Sequence, residues 1–378
     1  MRSIALPRFS LRMAPVLVLA LLLALLAGCA PAASPTPTAA PAKSAPSAAP
    51  TSAPAAAPTS APSAPTTAPA AAPVATTAPS GAATTLVLYG AGTLAGPFNE
   101  IDASYQKANP NIKIQAQFGG SVKMAKQITE LHQPADILAV ADYNVIPQQL
   151  YAHGSQKADA NWYAGFVANA ITFVYTDKSK GASTINANNW YDVMAQPGVQ
   201  IGRSNPDTDP SGYQTLQMLQ LAESYYKKPG LAQAILKNAP QTNIRDTETE
   251  LIGALEAGQI DYLAIYRSDA IQHNFKYLKL PAQINLSDAS LASDYAKVSV
   301  TTKNGTLKAG PIIYAITIPQ DAPHPQQAEK WVQYLLGQQG QQTMQQKGFV
   351  VVNPPIASGI DNVPAGIKQM VKPWPAAQ

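Results

Sequence analysis

Short apolar segments alternate with amphipathic ones along the chain from about residue 85 onward. Runs rich in β-branched and aromatic residues predict strands over 86–89, 112–118 and 137–141. Apolar residues at helical spacing follow each run and predict helices near 97–108, 122–131 and 145–150. Alternation of this kind is typical of α/β units on a largely parallel sheet.

The second half of the chain continues the pattern. The predicted elements are a strand in "FVANAITFVYT" (166–176), a helix over 211–226, a helix, turn, strand and helix over 249–270, a strand over 310–319 and a helix pair over 325–348. Ligands of open α/β sheets bind at the carboxyl ends of strands, where helix N-termini point. We therefore expect two lobes that face each other across a cleft closed by a hinge.

Residues 1–28 have the pattern of a signal peptide. Three arginines precede an apolar run that is too short to span a bilayer, and the run ends in "LAGC" at Cys29. Small residues before the only cysteine of the chain resemble the lipobox of bacterial lipoproteins, in which the cysteine becomes the acylated N-terminus. A plain signal peptide with an incidental cysteine is the alternative. The lipobox predicts export and a lipid anchor at the outer face of the cell membrane or in the periplasm.

The segment 29–84 consists, after its cysteine, almost wholly of Ala, Pro, Ser and Thr, with Lys43 as its only charge. It has too little large apolar surface to offset its ordering entropy, and its prolines favour extended geometry. We interpret it as a semi-rigid tether that holds a domain away from a membrane. A glycosylated stalk is the alternative.

The charge balance argues against a nucleic-acid partner. The chain has 26 Lys and Arg against 22 Asp and Glu, but four of the basic residues and none of the acidic ones precede Thr85. The rest of the chain therefore carries no net charge, and it has no run of basic residues interleaved with aromatic ones.

Four junctions at predicted helix starts are candidate binding elements. They are Gly92-Thr93 in "YGAGTL", Gly120-Ser121 in "FGGSVK", Asp209 with Ser211 and Gly212 in "NPDTDPSGYQ", and residues 246–250 in "RDTETEL". First-turn N–H groups have no intrahelical partner, and together with the helix dipole and a hydroxyl they suit an anion. Each junction alone is explained as well by ordinary capping. Two glycine-led hydroxyl junctions of the same form favour an anion site, because glycine lets a ligand approach the backbone.

The sequence contains no motif typical of a metal site or of a catalytic site. The four histidines are scattered without metal-ligand spacing, and no G-x-S-x-G, GxxxxGK[ST] or H-E-x-x-H motif is present. We identify no nucleophile and base pair. We therefore expect a binding protein without catalytic residues, metal or cofactor, and a secreted hydrolase or transferase is the weaker alternative.

At the four junctions the chain resembles the substrate-binding proteins of molybdate/tungstate ABC importers, most closely the WtpA type. The matching stretches include "GAGTLAGPF", "FGGSVKMAKQITEL", "PADILAVADYNVIP", "GRSNPDTDPSGYQTLQMLQLAESYY", "LIGALEAGQIDYLAIYRSDAIQHNF" and "GPIIYAITIPQDAP", which cover nearly all of 86–350 in the family's order. The resemblance implies a type II periplasmic-binding fold with mixed sheets, in which 85–168 plus 309–378 form one lobe and 169–308 the other. It also implies a monomer that delivers an oxyanion to an ABC permease and its ATPase.

The same resemblance implies the roles of individual residues. The family's two hydroxyl positions fall on Thr93 and Ser121, with Gly92 and Gly120 as supporting backbone. The positions expected in the second lobe are Asp209, Ser211 and Gly212 at a helix start, an amide near Glu248, and Tyr266 as a hydrogen-bond donor to the oxyanion.

The sequence departs from the family at one position. Members of this type use two carboxylates to coordinate the metal of the oxyanion, and Asp209 matches one of them. The other is expected in an "EYRS" stretch, where this chain has Ile265-Tyr266-Arg267-Ser268. The interpretation is molybdate or tungstate held mainly by hydrogen bonds. A receptor for sulfate or phosphate and a structural or adhesive surface lipoprotein remain as alternatives.

Overall fold

The computed structural model describes residues 83–152 and 157–375. The predicted signal peptide, Cys29 and the tether lie outside these residues. Within the described part of the chain, no helix is long and apolar enough to cross a membrane.

Fourteen strands are described. They are β1 (Thr84–Ala91), β2 (Ile112–Gly119), β3 (Ile137–Val140), β4 (Tyr163–Ala168), β5 (Ile171–Tyr175), β6 (Ile201–Ser204), β7 (Ile244–Arg245), β8 (Tyr262–Tyr266), β9 (Lys276–Tyr277), β10 (Ser299–Thr302), β11 (Gly305–Lys308), β12 (Ile313–Thr317), β13 (Val350–Ser358) and β14 (Lys372–Pro373).

Thirteen α-helices are described. They are α1 (Ala95–Ala108), α2 (Ser121–Thr129), α3 (Val145–Gln149), α4 (Trp190–Met194), α5 (Pro210–Tyr225), α6 (Leu231–Leu236), α7 (Ile252–Ala257), α8 (Arg267–Gln272), α9 (Ala282–Asn285), α10 (Ala292–Tyr295), α11 (Pro325–Leu336), α12 (Gln338–Gln346) and α13 (Ala365–Lys368). Short 3₁₀ turns cover Gly92–Leu94, Gln241–Asn243, Glu248–Leu251, Ala289–Leu291 and Ile360–Asn362.

The strands form two main sheets, and these define two lobes. The first lobe holds a seven-stranded sheet in the order β14-β13-β4-β12-β3-β1-β2. The second lobe holds a five-stranded sheet in the order β7-β6-β8-β5-β9 and the separate hairpin of β10 and β11. The expectation of two α/β lobes with mixed sheets is confirmed, and the expectation of largely parallel pairing is too simple. In the first lobe β1 pairs parallel with β2 and β3, whereas β12 pairs antiparallel with β3 and β4.

The pattern of buried residues in each strand and helix matches its position in the lobe. All four residues of β3 are buried, as expected for a central strand covered on both faces. The edge strand β2 instead alternates between half-buried and exposed residues along most of its length. In α11 one stripe is buried, which includes Trp331, and the Trp331 ring meets Phe98 of α1 edge-on at 5.2 Å between centroids.

The apolar run 166–176 is two strands rather than one. It contains the end of β4 in the first lobe, then Asn169 and Ala170, then β5 in the second lobe. The chain therefore passes between the lobes inside a segment that hydrophobicity alone predicts as continuous. Asn169 is the polar residue that interrupts it, and its side chain is 1% exposed.

Candidate functional site

The first lobe contributes two buried hydroxyls, on Thr93 and Ser121. Thr93 lies in the 3₁₀ turn after β1, and Ser121 is the first residue of α2 after β2. Because β1 and β2 are parallel neighbours with Ala91 paired to Gly119, their carboxyl ends meet at one edge of the sheet. Thr93 is 3% exposed and Ser121 is fully buried. We call these two side chains the hydroxyl wall.

The Ser121 hydroxyl is held as an acceptor. The backbone N–H of Ala141, which directly follows β3, donates to Ser121 Oγ at 3.0 Å. Within the described residues no acceptor takes the hydrogen of this hydroxyl, so it is free to donate to a ligand. Thr93 Oγ1 lies 2.9 Å from the hydroxyl oxygen of Tyr314 on β12.

The second lobe contributes a buried acidic group. Asp209 precedes α5, Ser211 is the second residue of that helix, and Glu248 begins the 3₁₀ turn after β7. Ser211 Oγ lies 2.6 Å from Asp209 Oδ2 and 2.7 Å from Glu248 Oε2, and none of the three residues is more than 2% exposed. We call these three side chains the carboxyl wall. The Asp209 carboxylate makes no capping bond to its own helix, so ordinary capping does not explain it.

The acidic groups of the carboxyl wall disfavour each other's negative charge. Burial raises the pKa of Glu248 well above its usual range, and the charge of Asp209, its hydrogen bond to Asp209 and the charge of Asp269 raise it further. Asp269, on the adjacent α8, is 2% exposed, and burial raises its pKa to about 7. The second lobe therefore buries several acidic groups side by side.

Ile265 lies on the opposite face of its strand from Tyr266. Ile265 and Tyr266 are successive residues of β8 and so point to opposite faces of the sheet. Ile265 packs in an apolar cluster with Val174, Leu255 and Leu263. The carboxyl group that lies beside Asp209 comes from Glu248, and the consequence of Ile265 for the coordination of a ligand stays a prediction. From the sequence, only the backbone amide is expected to act at Glu248.

Tyr266 is buried next to the walls with its hydroxyl already bonded. Its O–H donates to Gln214 Oε1 at 2.7 Å, and its ring meets that of Tyr314 edge-on at 5.7 Å between centroids. Gln214 in turn lies 3.4 Å from Asp142 of the first lobe through its amide nitrogen. In this arrangement the hydrogen of Tyr266 points to Gln214 rather than to an open site.

The glycines at the rim make room for the opposite lobe. A Cβ on Gly120 would lie 2.5 Å from the carbonyl oxygen of Thr208 and 2.7 Å from that of Asp246. A Cβ on Gly92 would lie 2.9 Å from Thr247 Oγ1. At these two positions the close approach is made by the second lobe, and the expectation that the glycines also admit a ligand stays a prediction. Gly212 has a different role, since a Cβ there would lie 2.7 Å from the backbone of Asn205 and Pro206 in the loop that precedes its own helix.

Direct bonds join the lobes around the site. The backbone N–H of Lys123 donates to Thr208 O at 3.2 Å, and Lys123 Nζ lies 2.7 Å from Asp246 Oδ2. On another side the hydroxyl of Tyr213 donates to the buried Asp142 Oδ2 at 2.7 Å. The two lobes are therefore closed on each other, and a groove of about 650 Å³ between them reaches Thr93 and Asp269.

Comparison with known proteins gives the family. The profile described as "Bacterial extracellular solute-binding protein" matches residues 86–350. This chain belongs to that family.

Relatives of this solute-binding protein agree with the match. A protein of Petrotoga mobilis described as "Uncharacterized solute-binding protein" is 35% identical over 293 residues, which covers 76% of this chain and 90% of the relative. "Molybdate/tungstate-binding protein WtpA" of Thermococcus kodakarensis is 36% identical over 317 residues, which covers 76% of this chain and 88% of that protein. Among solved structures, the periplasmic molybdate-binding protein of Azotobacter vinelandii has the same fold, with a TM-score of 0.51 at 16% identity over 71% of this chain and all of that one.

Several residues of the solute-binding protein's site were missed by the sequence analysis. Asn169, Tyr314, Gln214 and Asp142 are buried around the walls and bond to one another or to predicted residues. Only Asn169 carried a local signal, as a polar residue inside an apolar run. The others are remote in sequence, and only the folded chain brings them together.

Proposed function

We propose that this solute-binding protein captures molybdate or tungstate between its two lobes and delivers it to an ABC permease and its ATPase. The observation that carries the proposal is that both walls are buried and that the glycines preceding Thr93 and Ser121 contact the second lobe next to Asp209 and Glu248. The relatives named as molybdate/tungstate-binding proteins support the choice of ligand.

The two walls would hold different parts of the ligand. Thr93 and Ser121 would donate hydrogen bonds to oxyanion oxygens, and such bonds are strong because the acceptor is charged. Asp209 and Glu248 are oxygen ligands, which suit a metal centre able to accept more than four of them. Nanomolar binding requires about 12 kcal/mol, which several such contacts in a closed site can supply.

The same walls disfavour the alternative oxyanions. Sulfate has no proton to donate and a centre that accepts no further ligand, so its oxygens would face the carboxyl wall without compensation. Hydrogenphosphate carries one proton that can bind Asp209, which makes phosphate the more serious competitor. We therefore rank molybdate and tungstate above phosphate and phosphate above sulfate.

The cellular setting follows from the sequence. We propose that 1–28 is removed as a signal peptide, that Cys29 is lipidated and that 29–84 tethers the binding domain to the outer face of a membrane. In this proposal 85–168 with 309–378 and the intervening 169–308 move as the two lobes of a monomer. Lobe opening would release the anion to the permease.

Calorimetry on the mature chain tests the ligand. We expect molybdate and tungstate to bind tightly and phosphate and sulfate weakly, and we expect Thr93→Ala with Ser121→Ala to abolish the thermal stabilisation by molybdate. The matched control is Thr301→Ala with Thr306→Ala, which removes two mutually bonded hydroxyls on the exposed hairpin. A wild-type protein that ignores molybdate and tungstate but binds sulfate or phosphate would overturn the assignment.

A further inference from the structure

The residues that orient Thr93 lie where the chain passes from the first lobe to the second. Asn169 separates β4 from β5. Its Oδ1 accepts the backbone N–H of Ala170 at 2.9 Å and that of Ser268 at 3.3 Å. Because both bonds use the amide oxygen, the amide nitrogen faces the other way.

The amide nitrogen of Asn169 fixes the hydrogen-bond direction of Tyr314. It donates to Ser268 Oγ at 2.8 Å and to the Tyr314 hydroxyl oxygen at 3.3 Å. An amide nitrogen only donates, so Tyr314 is the acceptor in this bond. The single hydrogen of the Tyr314 hydroxyl then has one acceptor within reach among the described residues, which is Thr93 Oγ1 at 2.9 Å.

This chain of bonds determines what Thr93 can do. When Tyr314 donates to Thr93 Oγ1, the hydrogen of Thr93 remains available to another acceptor. If the bond ran the other way, Thr93 would present only lone pairs to an oxyanion, which itself offers only acceptor oxygens. We propose that Asn169 and Tyr314 are positioning residues that keep the Thr93 hydroxyl a donor to the bound oxyanion.

The proposal rests on the function proposed above. The location of Asn169 adds that both lobes take part in orienting Thr93. The same amide bonds a tyrosine of the first lobe and Ser268 of the second lobe. The donor direction at Thr93 is therefore fixed by contacts to both lobes at the crossover. A donor that is already oriented needs no reorganisation when the anion arrives, which raises its contribution to binding.

The test is a double-mutant cycle read by calorimetry with molybdate. We expect Tyr314→Phe and Thr93→Ala each to raise Kd about tenfold. We expect the double variant to bind no more weakly than Thr93→Ala alone, because Tyr314 acts through Thr93. Asn169→Asp, which offers an acceptor in place of the nitrogen, is expected to weaken binding at least as much as Tyr314→Phe.

The control separates orientation from stability. Tyr295→Phe removes another buried tyrosine hydroxyl, which donates to Ala282 O within the second lobe, and it is expected to leave Kd unchanged. Wild-type Kd for Tyr314→Phe, or a double variant weakened by the product of the two single effects, would overturn this proposal alone. A wild-type protein that binds no molybdate would overturn the proposed function and this proposal with it.

Discussion

The hydroxyl wall and the carboxyl wall use the same structural device with opposite chemistry. Each is built where a helical turn begins, next to the end of a strand. The first lobe presents Thr93 and Ser121, which are neutral, whereas the second presents Asp209 and Glu248 with Asp269 close by. An anion attracted by the first wall is repelled by the second unless a proton or a metal–oxygen bond compensates. Under the proposed function, the difference between the walls would discriminate among oxyanions of equal charge.

The largest effect on molybdate affinity is expected from a substitution that prevents the two lobes from closing. Gly120 has φ −56° and ψ 129°, which alanine adopts readily, but its Cβ would meet the backbone of Thr208 and Asp246 in the closed form. We expect Gly120→Ala to cost about 3 kcal/mol of closure, or about a hundredfold in molybdate Kd. Calorimetry measures the loss, and the ligand-free unfolding temperature should stay as in the wild type.

Gly253→Ala is the matched control for Gly120→Ala. A Cβ on Gly253 has no neighbour within 4 Å, and the residue lies in α7 beside the groove between the lobes. We expect unchanged affinity and a gain of about 0.5–1 kcal/mol in stability, because glycine is a poor helix former. An unaffected Kd for Gly120→Ala would show that ligand binding does not require the contact of Gly120 with Thr208 and Asp246.

The next effect comes from changing the chemistry of the carboxyl wall. Glu248→Gln keeps the size of the side chain and removes its acidity. If the carboxyl pair binds the metal centre, we expect molybdate Kd to rise about tenfold, the size of one strong charged contact. We expect sulfate binding to stay the same or improve, since an acidic group is lost. Competition calorimetry gives both values.

Glu250→Gln provides the comparison for Glu248→Gln. Glu250 lies in the same 3₁₀ turn but is exposed, so its substitution should leave both affinities unchanged. Equal losses for molybdate and sulfate in Glu248→Gln would argue that Glu248 shapes the site without recognising the ligand's centre.

The sequence pattern indicates the residues of the hydroxyl wall more directly than those of the carboxyl wall. Thr93 and Ser121 each follow a glycine at a strand-to-helix junction, so local pattern and topology point to the same residues. Glu248 has no such local signature, because its contact with Ser211 joins residues 37 positions apart in the chain. The sequence therefore points to position 265 for the second carboxylate, and there the alternation of β8 directs the side chain away from Tyr266.

The fold also has parts that the sequence predicts and parts that it does not. The apolar patterns predicted the two lobes and most elements, because hydrophobic periodicity reports burial along each element. The antiparallel pairing of β12 and the split of 166–176 at Asn169 depend on which segments meet in space. Hydrophobic periodicity does not show which strands pair with each other.

A smaller effect is expected from the buried bond that joins the lobes. Tyr213→Phe removes the donor to Asp142 Oδ2, a bond between the lobes that opening would break. We expect a loss of about 1 kcal/mol, seen as a roughly fivefold faster release of molybdate in stopped-flow measurements with little change in association. Tyr226→Phe is the control, since its hydroxyl bonds Ala187 O inside the second lobe. Faster release in both variants would point to general loosening rather than closure.

The smallest effect is expected from the exposed pair at the other side of the cleft. Lys123 Nζ lies 2.7 Å from Asp246 Oδ2, but the two side chains are 47% and 43% exposed. Solvent screens such a pair, so Lys123→Met should change molybdate Kd by less than about twofold, and the difference should vanish in high salt. The backbone N–H of Lys123 still donates to Thr208 O in this variant. A loss as large as that of Tyr213→Phe, persisting in high salt, would mean that the charge of Lys123 acts on the bound anion itself and that the neutral wall has a cationic partner.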